Sequence, residues 1–168
     1  MLFRSTIIPF LFDRARQACP SPFEPGGPVW SRLSADPDRY LYEPVRRGVD
    51  LDLPDHIAVG IDSVPDRGRW NEPADAEFAL PTEIWREHIA RRQRCHEVRE
   101  KLRAGEVREI NDLITLNLDI RLFAQDVLDG CDDPALLRAF WEAIGGVTIL
   151  DPTVGSGAFL FAALNILQ

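Results

Sequence analysis

Eleven of the 13 prolines in this 168-residue chain fall within the first 81 residues, and none falls between residues 82 and 130. Proline fixes φ and removes a backbone donor, so it is excluded from helix interiors and from central strands. Residues 1–80 are therefore expected to be an irregular, proline-rich region, with sustained regular structure only after Pro81. Pro20-Ser-Pro-Phe-Glu-Pro-Gly-Gly-Pro28 reads as loop by its density of chain breakers. Trp30 and Trp70 are the natural anchors for folding such loops onto helices. Asp36 can open a short turn of helix, with Tyr40 and Leu41 packing inward and Gly48 ending it.

Residues 81–145 read as a helical lead-in. Thr82 can cap a helix that begins after Pro81, and Gly105 sits where that helix should stop. Ile110, Leu113, Ile114, Leu118, Phe123, Ala124, Val127 and Leu128 then recur at helical spacing, with a break around Asn117–Asp119. Asp133 followed by Pro134 is a capping residue and a first helical position, and Gly145-Gly146 closes that helix. Residues 86–108 carry seven Arg and one Lys against four Glu, a local net of +4 in a chain of formal net charge −8. Such a face can follow a DNA backbone, or it can be a solvated helix laced with Glu–Arg pairs. Overall acidity means that any DNA affinity is expected from a local patch of this kind or from regions outside this fragment.

Residues 146–168 change character again. Val147–Leu150 is a short apolar, β-branched run of the sort found in a strand buried on both faces of a parallel sheet. Asp151 and Pro152 end it, Gly155-Ser156-Gly157 forms a turn open to close approach, and Ala158–Leu167 has the composition of a buried helix. A carboxylate is thereby set beside the positive end of a helix dipole. That pairing suits a ligand with both an anionic and a cationic group, the make-up of S-adenosylmethionine. Other glycine motifs fit less well. A Walker loop requires a lysine, and the chain's one lysine is Lys101; a dinucleotide fingerprint would need glycine at Leu160; a nucleophile elbow would need glycine at Val154 and Ala158. An ordinary strand-to-helix turn with no ligand is the plain alternative.

Asp151-Pro-Thr-Val-Gly-Ser-Gly-Ala-Phe-Leu160 resembles motif I of the adenine-specific DNA methyltransferases. Residues from about Ala79 to Asp129 resemble the helical lead-in of the large type II restriction-modification and phage-exclusion members of that family. The resemblance implies an α/β, Rossmann-like parent fold, of which this chain would hold the first β-strand within a mostly α-helical fragment. It implies S-adenosylmethionine as cofactor, with Asp151 on its amino group, Gly155, Ser156 and Gly157 around its methionine end, and Pro152, Thr153 and Phe159 completing the loop. Methyl transfer would go to adenine N6 in double-stranded DNA, with other defence-system subunits as further partners. No Pro-Pro pair is present, so the family's catalytic motif is missing and no catalytic residue is assigned. The expectation is a fragment that ends just after motif I and is inactive alone. A non-enzymatic helical module that contacts partners or DNA is the competing reading.

The remaining features exclude rather than assign. Met1–Asp13 has an arginine ahead of an apolar stretch, but Pro9 interrupts it and no clean cleavage site follows. No run approaches the roughly eighteen apolar residues of a membrane span, so a cytoplasmic protein without membrane contact is expected. Cys19, Cys95 and Cys131 are odd in number and widely spaced, which fits reduced thiols. His88, Cys95 and His96 lack metal-ligand spacing and read as partly exposed helix residues, so no metal site is assigned. Glu100 and Lys101 are adjacent, which breaks the spacing of a restriction-nuclease signature.

Overall fold

A computed structural model describes residues 4–152 and 155–167. Its α-helices are α1 (Arg4–Ala18), α2 (Pro28–Ala35), α3 (Glu43–Arg46), α4 (Asp55–Ala58), α5 (Trp85–Arg103), α6 (Ile110–Thr115), α7 (Ile120–Asp129), α8 (Pro134–Gly145) and α9 (Ala158–Leu167). Short 3-10 turns occupy Ser21–Phe23 and Val64–Arg69. Among the described residues there is no strand; Pro73 and Ile84 form an isolated bridge. The α/β expectation with a first β-strand is therefore overturned: Val147–Leu150 has no regular structure. A parallel strand needs neighbours for its amides and carbonyls, and the described residues supply none. The chain divides into two compact units, one within Met1–Tyr40 and Leu102–Gln168, the other Leu41–Lys101.

The first unit is built on α1, which runs through Pro9 despite the missing backbone donor. An interior proline costs a helix about 3 kcal/mol. Ile7, Ile8, Leu11, Phe12 and Ala15 are all buried along one stripe of α1, at spacings that only a helix produces. Burial of each large side chain returns about 1.5–3 kcal/mol, so packing outweighs the proline. Phe12 meets Phe140 of α8 edge-on at 5.0 Å, Phe123 of α7 at 5.8 Å and Phe23 at 6.2 Å. Phe123, fully buried, also stacks on Trp30 at 5.9 Å and meets Tyr40 at 5.4 Å. The Trp30 indole N–H donates to the Phe23 carbonyl at 2.9 Å, so the proline-rich loop is tied down by its own tryptophan.

Local chemistry sets the helix ends in this unit. Asn117 adopts φ 56° and separates α6 from α7, whose start is capped by Asp119 accepting the Leu122 N–H at 3.1 Å. Asp133 accepts the Ala135 N–H at 2.8 Å and opens α8 with Pro134 in its first turn. Arg39 forks onto the Asp126 carboxylate, with Nη2 donating to Oδ1 at 2.7 Å. Burial, with the neighbouring Asp126 carboxylate, pushes the Tyr40 hydroxyl up to about 12.

The second unit has little regular structure outside α5, and its core is Ile57, Trp70, Phe78 and Trp85, with Leu53, Ala74 and Ile89 against it. His88 and Cys95 are fully buried, in contrast to the partly exposed helix residues expected from sequence. Arg91 organises the surrounding loops. It donates Nε and Nη2 to the two oxygens of Glu83 at 2.8 Å each, Nη1 to the carbonyls of Arg47 (2.7 Å) and Val45 (3.1 Å), and Nη2 to that of Phe78 (2.9 Å). Thr82 does not cap α5: it takes φ 68° and its hydroxyl donates to the Pro81 carbonyl. The tight turn instead aims Glu83 at Arg91, while Glu87 accepts the Ile84 N–H at 3.1 Å.

Two outcomes follow from this packing. Phe123→Ala should lower unfolding free energy by about 3–5 kcal/mol, read as a shifted urea midpoint, since it removes the ring shared by three others. His88 is the second. Burial, with Arg91 beside it, holds its imidazole below the usual 6.5 and therefore neutral. An unfolded histidine takes up its proton near 6.5, so stability is full above that pH and declines as pH falls towards the folded value. Denaturation at pH 7 and pH 5 should show this loss, and His88→Gln should remove most of it; an unchanged slope in the variant would exclude His88 as the cause.

Candidate functional site

The segment singled out by sequence leaves α8 at Gly146 and runs to α9. The Val147 N–H still bonds the Ile144 carbonyl at 3.1 Å, after which Thr148, Ile149 and Leu150 extend without regular structure. With Thr6, Ile7 and Phe10 of α1 they line an apolar cavity of about 430 Å³. Leu150 is 86% exposed, so this run is not the doubly covered strand that its composition suggests.

Asp151 is half-buried and Pro152 exposed in a turn, while Thr153 lies outside the described residues. Gly155 and Ser156 are exposed, and Gly157 takes φ 75°, a left-handed conformation that favours glycine. The Gly157 carbonyl accepts the Phe161 N–H at 3.0 Å, which makes Gly157 the residue from which α9 departs. A Cβ at Gly155 would meet nothing within 4 Å, so the loop is open to an approaching group on that side. Asp151 and the glycine turn precede α9 in the chain, and Phe159, in its first turn, is 61% exposed.

The apolar surface of α9 was not anticipated. Its composition suggests a buried helix, yet only Ala163 is buried, and Phe161 (67%) and Leu164 (52%) are as open as Phe159. The signal was present in the lack of any charged residue from Ala158 to Leu167. Such a helix is apolar all round, and burial on one side cannot accommodate it.

The basic helix is partly committed elsewhere. Arg91 is absorbed by Glu83 and loop carbonyls, Arg99 donates to both oxygens of Asp50 at 2.6 and 2.9 Å, and Arg92 donates to the Leu51 carbonyl. Arg86, Arg94 and Lys101 of α5 stay exposed, at spacings that bring them to one face. No group of three or more His, Cys, Asp or Glu among the described residues is placed to hold a metal ion. No helix among them is long and apolar enough to cross a membrane.

Gly157→Ala should cost roughly 1–2 kcal/mol locally, the penalty of a left-handed backbone for an L side chain, since the added Cβ would meet only ordinary contact with Phe161. Amide exchange in α9 should then quicken about tenfold with little change in α1; equal exchange in both proteins would show that φ here is not constrained. In comparisons with protein-family models, with curated proteins and with solved structures, nothing matches the chain.

Proposed function

We propose that Asp151–Phe159 is the S-adenosylmethionine-binding loop of an adenine-specific DNA methyltransferase of a restriction-modification or phage-defence system. The observation that carries the reading is the coincidence of the motif I resemblance with a glycine turn at Gly157 that opens directly onto a helix start. In this reading the Asp151 carboxylate takes the cofactor's amino group, and Gly155, Ser156 and Gly157 bring backbone to its carboxylate, with Pro152, Thr153 and Phe159 shaping the rest of the loop. The contribution of the chain is cofactor binding, and transfer to adenine N6 requires groups that can grip a flipped base, which these residues do not provide. Duplex DNA would meet the exposed face of Arg86, Arg94 and Lys101, basic side chains of α5 not spent on internal carbonyls and carboxylates.

One observation favours a second reading, a non-enzymatic interaction module. Trp141 (77% exposed), Phe159 and Phe161 put large aromatic surface in solvent, the residue type most enriched at protein interfaces. Cofactor titration separates the two. In NMR spectra of the labelled chain, millimolar S-adenosylmethionine should shift the amides of Gly155, Ser156 and Gly157, with the shifts lost in Asp151→Ala. No N6-methyladenine should form in added DNA. Unmoved loop amides, or equal shifts with ATP, would sink the methyltransferase reading and leave the interaction module.

A further inference from the structure

The second unit carries a surface that its own core does not use. Between α4 and the 3-10 turn at Val64–Arg69, Val59, Ile61 and Val64 are 53%, 48% and 68% exposed. Single exposed apolar residues are ordinary, but three β-branched ones within six positions on one turn form a patch. The turn is held firmly. The Trp70 indole N–H donates to the Ile57 carbonyl at 3.1 Å, and Arg67 donates to the carbonyls of Gly60 (2.7 Å) and Ile61 (3.3 Å) while its guanidinium lies 4.5 Å from the Trp70 ring centre. Gly60 is packed so closely that a Cβ there would come within 2.6 Å of the indole nitrogen. A tryptophan, an arginine and a glycine thus fix a turn that leaves Val59, Ile61 and Val64 largely in solvent.

Charge around the patch is one-sided. From Val49 to Asp66 there are five Asp and no Lys or Arg. Asp50 is taken by Arg99, but Asp52, Asp55, Asp62 and Asp66 are exposed and form no ion pair among the described residues. The nearest cations in sequence are also engaged, Arg67 by carbonyls and the Trp70 ring, and Arg69 by Glu72 at 2.8 Å. An apolar turn whose neighbours in sequence are exposed carboxylates repels phosphate and complements a cationic partner surface.

We propose that the turn Asp55–Asp66 is a docking surface for a protein partner that presents an apolar pocket bordered by Lys or Arg. Fixing the turn beforehand lowers the ordering cost of association, and the carboxylates steer the partner and set its register. Selection of a random peptide library on the immobilised full chain, with counter-selection on V59S/I61S/V64S, tests this directly. Those three side chains are exposed, so the variant should melt with the wild type. A second variant, D62N/D66N, removes charge without touching the apolar patch.

Enriched peptides should combine Lys or Arg with large apolar residues and bind the wild-type chain roughly tenfold more tightly than the triple serine variant. They should also weaken as salt rises and weaken on D62N/D66N. Peptides indifferent to the serine substitutions, purely cationic peptides, or no enrichment would overturn the proposal. So would duplex DNA bound through this turn, or self-association of the chain abolished by the triple variant, which would make the occupant a second copy. None of these outcomes depends on whether the glycine loop binds a cofactor.

Discussion

Close packing of aromatic rings around Phe12 and Phe123 is the constraint on which the first unit depends. The rings come from α1, the Ser21–Phe23 turn, α2, the turn ending at Tyr40, α7 and α8, so one cluster joins residues from opposite ends of the sequence. Aromatic pairs contribute about 0.5–1.5 kcal/mol beyond their buried area, and edge-on geometry fixes direction as well as distance. That explains why α1 tolerates a proline and why the loop before α2 keeps one shape.

The second unit solves a different problem. Loops expose carbonyls that no ladder satisfies, and a buried carbonyl without a donor costs free energy comparable to a lost hydrogen bond. Arg91 brings its fixed fork of donors to the carbonyls at the end of α3 and to that of Phe78 at once, balanced by the Glu83 carboxylate. Burial alone would raise the Glu83 pKa, but the Arg91 guanidinium and the Leu80 amide hold it below the usual carboxylate range. A lysine at this position could not reproduce the planar, multiply donating contact.

What the sequence revealed, and what it hid, divides along physical lines. Helix ends set by local chemistry were legible: Asp133 with Pro134 opens α8, and Gly105 at φ 65° follows the end of α5. Core positions with helical spacing were legible too, since Ile110, Leu113, Leu118, Phe123 and Val127 are buried; Ile114, at 37%, is not. Features decided by distant partners were not. Pro9 concealed α1 because the proline rule is local while the compensating burial is tertiary, although the spacing of Ile7, Ile8, Leu11, Phe12 and Ala15 carried the signal. Thr82 was misread because Glu83 is drawn to an arginine eight residues away. In the candidate site, the glycine turn and helix were readable from Gly155 to Leu167, but composition could not distinguish an apolar run in a sheet from the same run left in solvent at Leu150.

The aromatic surface of α9 has a practical consequence for anyone studying the molecule. Dyes such as anilinonaphthalene sulfonate fluoresce when apolar surface is open to them, and they are normally read as reporters of partly unfolded protein. With Phe159, Phe161 and Leu164 already in solvent, the folded chain would bind such a dye from the start. High initial fluorescence, and a melt that begins from a raised baseline, would then describe its native surface rather than a loss of structure. Intrinsic fluorescence of Trp30, Trp70 and Trp85, all buried, is the sounder probe of its unfolding.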